Sequence, residues 1–244
     1  MEDKNEAARK IIVALDVENE KEAYDLVKLL SPPVSCYKVG MRLYTACGPR
    51  IIQGLKELGV KVFLDLKFHD IPNTVASTVE VAAGFGIEMF NIHLSGGREM
   101  IQAAVKAAGQ SAEESGKAKP LVLGVTVLTS LNEKMLRGEV GIEKQLEQHV
   151  VDLSLMGKEC GINGVVASPR EAALIRKECG AEFLIVSPGV RPLWAASGDQ
   201  QRVFTPRLAM EAGADYMVIG RPIIKHRSPR EALEMILSEI STAE

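Results

Sequence analysis

Between residues 65 and 70 the chain reads Asp-Leu-Lys-Phe-His-Asp, two carboxylates bracketing one lysine at the end of an apolar run. In an extended strand side chains alternate faces, so Asp65 and Lys67 project together while Leu64 and Leu66 project oppositely. With the leucines packed against helices, both charges enter a shared interior, where burying either alone is costly and pairing is required. Lys38 ends another apolar run and is placed to join them, and Asp70 follows in the loop to complete D-x-K-x-x-D. An ammonium fixed among carboxylates can stabilise negative charge developing beside it and can deliver a proton. The plainer alternative is an ion-pair network with a structural task only.

Such groups need elements that aim them at one place. Eight short apolar runs, at residues 11–15, 36–39, 62–66, 89–94, 121–128, 164–167, 183–186 and 216–219, alternate with stretches of helical period. Several are rich in Val and Ile, as strands of a parallel sheet buried on both faces are. Ala23, Leu26, Val27 and Leu30 share one helical face, as do Val75, Val79 and Ala82, and Ala232, Met235, Ile236 and Ile240. Pro72 or Asn73 opens one of these helices and Pro229 another, proline being tolerated in a first turn. Eight βα units in 244 residues predict the α/β class, a single-domain (β/α)₈ TIM barrel over residues 11–244 behind an N-terminal extension, 1–10. A doubly wound sheet fits less well, because the first strand leads into Asp16-Val17-Glu18-Asn19 and not a glycine-rich dinucleotide turn. The charged stretch 131–161 reads as a loop plus a helix of the fifth unit.

In a barrel the chemistry sits at the C-terminal ends of the strands. Polar residues end seven of the eight runs: Asp16, Lys38, Asp65 with Lys67, His93, residues 126–130, Ser187-Pro188-Gly189 and Gly220-Arg221. His93 fits an inward position but reads more simply as a satisfied core histidine. Loops after the seventh and eighth strands of barrels often bind phosphate. Ser187-Pro188-Gly189 offers backbone N–H groups where glycine permits close approach, and Gly220-Arg221 offers another with a bidentate cation. The long loop 190–201 has the make-up of a functional lid or of a plain surface excursion.

Composition narrows the partners. A net charge of −3 argues against a general nucleic-acid binder, which needs a basic face to displace counterions. The N-terminus MEDKNEAARK lacks the apolar core of a signal peptide, and no apolar run approaches the ~20 residues of a membrane span. Cys36, Cys47, Cys160 and Cys179 show neither a Cys-x-x-Cys pair nor zinc-like spacing, so the expectation is reduced thiols in a cytoplasmic protein.

The segment FLDLKFHDIPNTV, residues 63–75, resembles the signature of the orotidine 5′-monophosphate decarboxylase family. VALDV at 13–17, YKVG at 37–40, VTVLTS at 125–130, SPGVRP at 187–192, GDQQR at 198–202 and VIGRPI at 218–223 resemble the bacterial form in the same order. The resemblance covers nearly all of the chain after its first ten residues. It implies a homodimeric barrel acting on orotidine 5′-monophosphate with no cofactor and no metal. It further implies that Asp16 and Lys38 hold ribose hydroxyls, that Asp65 positions Lys67, and that Lys67 is the proton donor. Asp70 then lies beside the substrate carboxylate and, with Ile71 and Thr74, reaches into the partner's site. Thr129 meets the pyrimidine edge, Gln200 and Arg221 bind phosphate, and Arg191 is a further phosphate candidate. Trp194 and its neighbours depart from the family pattern and leave the lid contacts open.

On this reading Asp70 repels the bound carboxylate, and Lys67 stabilises the carbanion left by carbon dioxide and then protonates it. The nearest rival is a magnesium-dependent sugar-phosphate decarboxylase or aldolase-like synthase of the same barrel type. Such relatives carry a carboxylate where this chain has Lys38, and a cation is a poor metal ligand. A catalytically silent nucleotide-binding barrel and a Schiff-base role for Lys67 are the other rivals.

Overall fold

The computed structural model describes residues 2–195 and 204–241. Eight parallel strands close into a barrel in chain order: β1 (Ile11–Ala14), β2 (Cys36–Gly40), β3 (Lys61–Phe68), β4 (Met89–His93), β5 (Leu121–Val125), β6 (Gly164–Val166), β7 (Leu184–Pro188) and β8 (Tyr216–Ile219). β1 pairs with both β2 and β8, which leaves no edge. The predicted barrel is therefore the fold. β3 and β7 run two residues beyond the expected ends and β5 stops three short, so residues 126–130 leave the sheet as loop.

Two cores hold the barrel. Tyr37, Val39, Leu64, Phe90, Ile92, Ile185 and Ile219 face outward and pack beneath the helices. Ile12, Ala14, Cys36, Phe63, Met89, Leu123, Val186 and Val218 face inward and fill the lower barrel. The same inward parity extends up each strand: Asp16 is in phase with Ile12 and Ala14, Lys38 with Cys36, Asp65 with Phe63, and Asn91 and His93 with Met89. A hydrophobic plug below and charged groups above thus come from one alternation.

The helices start where local chemistry directs. Asn19 accepts from the Glu22 N–H to cap Glu20–Leu30, and Pro72 occupies the first turn of Pro72–Gly84. Pro229 likewise opens Pro229–Ser241. The stretch 131–161 contains two helices, Glu133–Gly138 and Leu146–Glu159. Residues 2–9, expected as an extension, form a helix with Ala7 and Ala8 buried, and Lys4 Nζ donates to Ser238 Oγ of the last helix at 3.0 Å. No described helix is long and apolar enough to cross a membrane.

Candidate active site

The charges predicted from β1, β2 and β3 meet at the C-terminal mouth. Lys38 Nζ lies 3.3 Å from Asp16 Oδ1 and 3.2 Å from Asp65 Oδ2, while Lys67 Nζ lies 2.5 Å from Asp65 Oδ1. Lys38 is buried, Asp65 nearly so, and Lys67 and Asp16 open progressively toward solvent. Burial disfavours the Asp65 carboxylate, yet Lys38 and Lys67, with hydrogen bonds from Lys67 and Asn91, hold its carboxyl below the ordinary range. Gly40 makes room for this pairing. It sits opposite Asp65 in the β2–β3 register, and a Cβ there would lie 2.7 Å from Lys38 Nζ.

Lys67 is held in an unusual backbone. Leu64 pairs with Phe90 and Phe68 with Ile92, so three residues of β3 oppose Asn91 alone. Two extra residues keep the alternation in phase across the shift, so Leu64 and Phe68 both pack against the outer core. Lys67 adopts φ +54°, the sole positive φ of a non-glycine among the described residues, at a cost of about 1–2 kcal/mol. Asn91 Oδ1 accepts the Lys67 N–H and its Nδ2 donates to Asp65 Oδ1, both at 2.8 Å.

Asp70 does not complete the array within one chain. It is exposed, and its Oδ1 accepts the N–H of Ile71 at 2.7 Å, so the expected Lys-Asp-Lys-Asp series is three-membered inside the protomer. The cause is local: the strand ends at Phe68, and the carboxylate turns to the entry of the next helix. Ile71 is 67% exposed and Thr74 is exposed beside it.

On the other side of the mouth, a cavity of about 470 Å³ opens among the loops after β5, β6 and β7. Thr129, Pro188, Gly189 and Arg191 line it, as do Ser168 and Glu171, whereas the charged triad lies outside its lining. Gly189 has φ +76°, a turn that glycine adopts without penalty, and the Arg191 N–H donates to the Phe204 carbonyl at 3.0 Å. Gly220 precedes the short helix Arg221–Ile224, with Arg221 exposed; a Cβ on Gly220 would approach Asp16 Oδ2 to 3.3 Å. Gln200 lies outside the described residues.

Asn91 was absent from the sequence-derived site. Its signal was present, since an amide inside the apolar run Met-Phe-Asn-Ile-His takes the inward parity that aims it at Asp65. His93 is half-buried at the mouth, its ring centroid 5.3 Å from that of His69, and burial followed by His69 and Lys67 lowers its pKa. No group of three His, Cys, Asp or Glu among the described residues is arranged to hold a metal ion.

Known proteins resemble this chain along nearly its whole length. A protein named orotidine 5′-phosphate decarboxylase from Syntrophomonas wolfei is 49% identical over 236 residues, covering 96% of this chain and 99% of its own. One of the same name from Geotalea daltonii is 49% identical, with 97% and 98% covered. A crystal structure of orotidine 5′-phosphate decarboxylase from Lactobacillus acidophilus superposes with a TM-score of 0.84 at 36% identity, covering 96% of this chain and all of that one. The family model described as orotidine 5′-phosphate decarboxylase / HUMPS matches residues 9–236, and the chain belongs to that family.

Proposed function

We propose that the chain converts orotidine 5′-monophosphate to uridine 5′-monophosphate and carbon dioxide in pyrimidine biosynthesis, as a homodimer without metal or organic cofactor. The observation that carries this reading is the Asp65 carboxylate fixed between two ammonium groups at the barrel mouth. Breaking the bond from the ring carbon to the carboxylate leaves an electron pair on that carbon. Lys67 Nζ, oriented by Asp65 before substrate arrives, stabilises this pair and donates a proton to it, while the carboxylate departs as carbon dioxide. Charges set in place beforehand need little reorganisation during the reaction. Lys38, held between Asp16 and Asp65, keeps the Asp65 charge balanced and, with Asp16, faces the ribose hydroxyls.

Thr129 and Pro188 shape the cavity for the pyrimidine, and Gly220, Arg221 and Arg191 take the phosphate, a role that Gln200 shares on the family resemblance alone. Asp70, Ile71 and Thr74 serve the partner's site, where Asp70 faces the substrate carboxylate and Lys67. Their exposure in the protomer supports this, as does the stripe Ile71, Thr74 and Val81 along one face of the helix Pro72–Gly84, with Ile71 67% and Val81 61% exposed. Lys38 supports a metal-free reaction, because its ammonium fills the space between Asp16 and Asp65 that a divalent cation would need. Four buried, unpaired cysteines agree with a reducing, cytoplasmic setting.

Ultraviolet-monitored turnover of orotidine 5′-monophosphate with EDTA present tests the reading. Conversion to uridine 5′-monophosphate supports substrate, reaction and metal independence together. Binding without conversion by a folded dimer favours a silent barrel, and neither binding nor conversion favours the sugar-phosphate rivals.

A further inference from the structure

We infer that Asn91 is a positioning residue for the decarboxylation, the clamp that sets the Lys67 backbone and the Asp65 carboxylate in the geometry the reaction uses. This rests on the proposed reaction. Asn91 is fully buried in β4, and residues 65–67 of β3 lie opposite it alone. Extra residues in one strand leave ladder groups without strand partners, and buried N–H groups must find others. Asn91 Oδ1 supplies one, accepting the Lys67 N–H at 2.8 Å where Lys67 turns to φ +54°. Its Nδ2 donates to Asp65 Oδ1 at 2.8 Å, the oxygen that also holds Lys67 Nζ. One amide therefore fixes both ends of the same ion pair, the main chain of the lysine and the carboxylate that aims its ammonium. Leucine of similar size removes both bonds. Aspartate keeps the acceptor for the Lys67 N–H but sets a second carboxylate against Asp65.

The test compares wild type, Asn91→Leu and Asn91→Asp for kcat and KM on orotidine 5′-monophosphate across pH, with circular dichroism reporting the fold. Asn91→Leu is expected to lower kcat about 10²-fold, the scale of a roughly 1 Å misplacement. KM stays within about threefold, because the ribose and phosphate grips lie elsewhere. Asn91→Asp loses activity most at high pH and recovers as pH falls, since the protonated carboxyl introduced at position 91 regains a donor for Asp65 Oδ1. A folded Asn91→Leu with wild-type kcat, or an Asn91→Asp deficit that is flat with pH, overturns the inference. If Asn91→Leu does not fold, the isosteric Asn91→Asp decides by its pH profile. A wild-type chain that leaves orotidine 5′-monophosphate unchanged overturns the reaction and this role with it. An active wild type beside an unimpaired Asn91→Leu overturns this role alone.

Discussion

At the scale of single residues, the site depends as much on what is missing as on what is charged. Gly40 is inward, opposite Asp65, and its absent side chain is the space that the Lys38 ammonium enters. The backbone there has φ −93°, open to any residue, and the group an added methyl meets is the flexible tip of a lysine. Gly40→Ala is therefore expected to fold with little loss of stability while moving Lys38 out of its place between Asp16 and Asp65. Turnover falls on the order of tenfold to a hundredfold. Unchanged turnover in a folded variant would show that Lys38 needs no fixed position. Lys67→Ala makes the complementary case. It removes the proposed proton donor, so kcat is expected to drop by about 10³-fold or more, with the fold and uridine 5′-monophosphate binding retained. Calorimetric binding with the product beside the turnover assay separates this from a general collapse of the site. Arg221→Ala tests the proposed phosphate grip: weak binding by an intact barrel is expected, and an unfolded variant would refute a ligand role.

At the scale of elements, strand alternation carried most of what the sequence made legible. The position of Asp65 and Lys67 on one face, the polar ends of the strands and the prolines opening two helices were readable because each depends on spacing alone. The β3 register shift was not, because it depends on pairing with β4 and on an amide 24 residues away that takes the stranded N–H. Nor was the docking of residues 2–9, whose alanines find a partner only when the last helix closes the barrel. The helix Pro169–Cys179 starts where Ser168 and Glu171 stand in the S-x-x-E spacing of a capping box. Burial pushes the Glu171 carboxyl up to about 7, against hydrogen bonds from the Ser168 and Glu171 N–H groups that favour the charged form. A folded value above the unfolded one means that the native state binds the extra proton. Stability is then fullest below the unfolded value of about 4.3, declines as pH rises through the interval up to the folded value, and levels off above it. Glu171→Gln keeps a capping side chain and removes the titration. It is expected to match wild type near about pH 4 and to exceed it by on the order of 2 kcal/mol near about pH 8. Urea denaturation at the two pH values checks this, and a difference independent of pH would assign the effect to something other than the carboxyl.

At the scale of the whole molecule, one protomer holds a lysine without its second aspartate, and an aspartate without a lysine. Lys67 pairs with Asp65, while Asp70 is exposed at the head of a helix that also exposes Ile71 and Val81. In the proposed homodimer both needs would be met at once, each protomer's Asp70 reaching the other's mouth across an isologous interface. The arrangement predicts complementation between inactive chains. Lys67→Ala and Asp70→Asn homodimers are each expected to be nearly inactive. In a mixed dimer, the Asp70→Asn protomer keeps its own Lys67 and receives Asp70 from its Lys67→Ala partner, so one of the two sites is whole. Random re-association makes about half the dimers mixed, and refolding the two variants together restores about a quarter of wild-type turnover. Mixing them without dissociating either dimer restores nothing, which ties the recovery to exchange of subunits. If exchanged mixtures stay as inactive as the separate variants, Asp70 acts within its own chain, and its loop must then rearrange from the outward position seen in the protomer to reach Lys67.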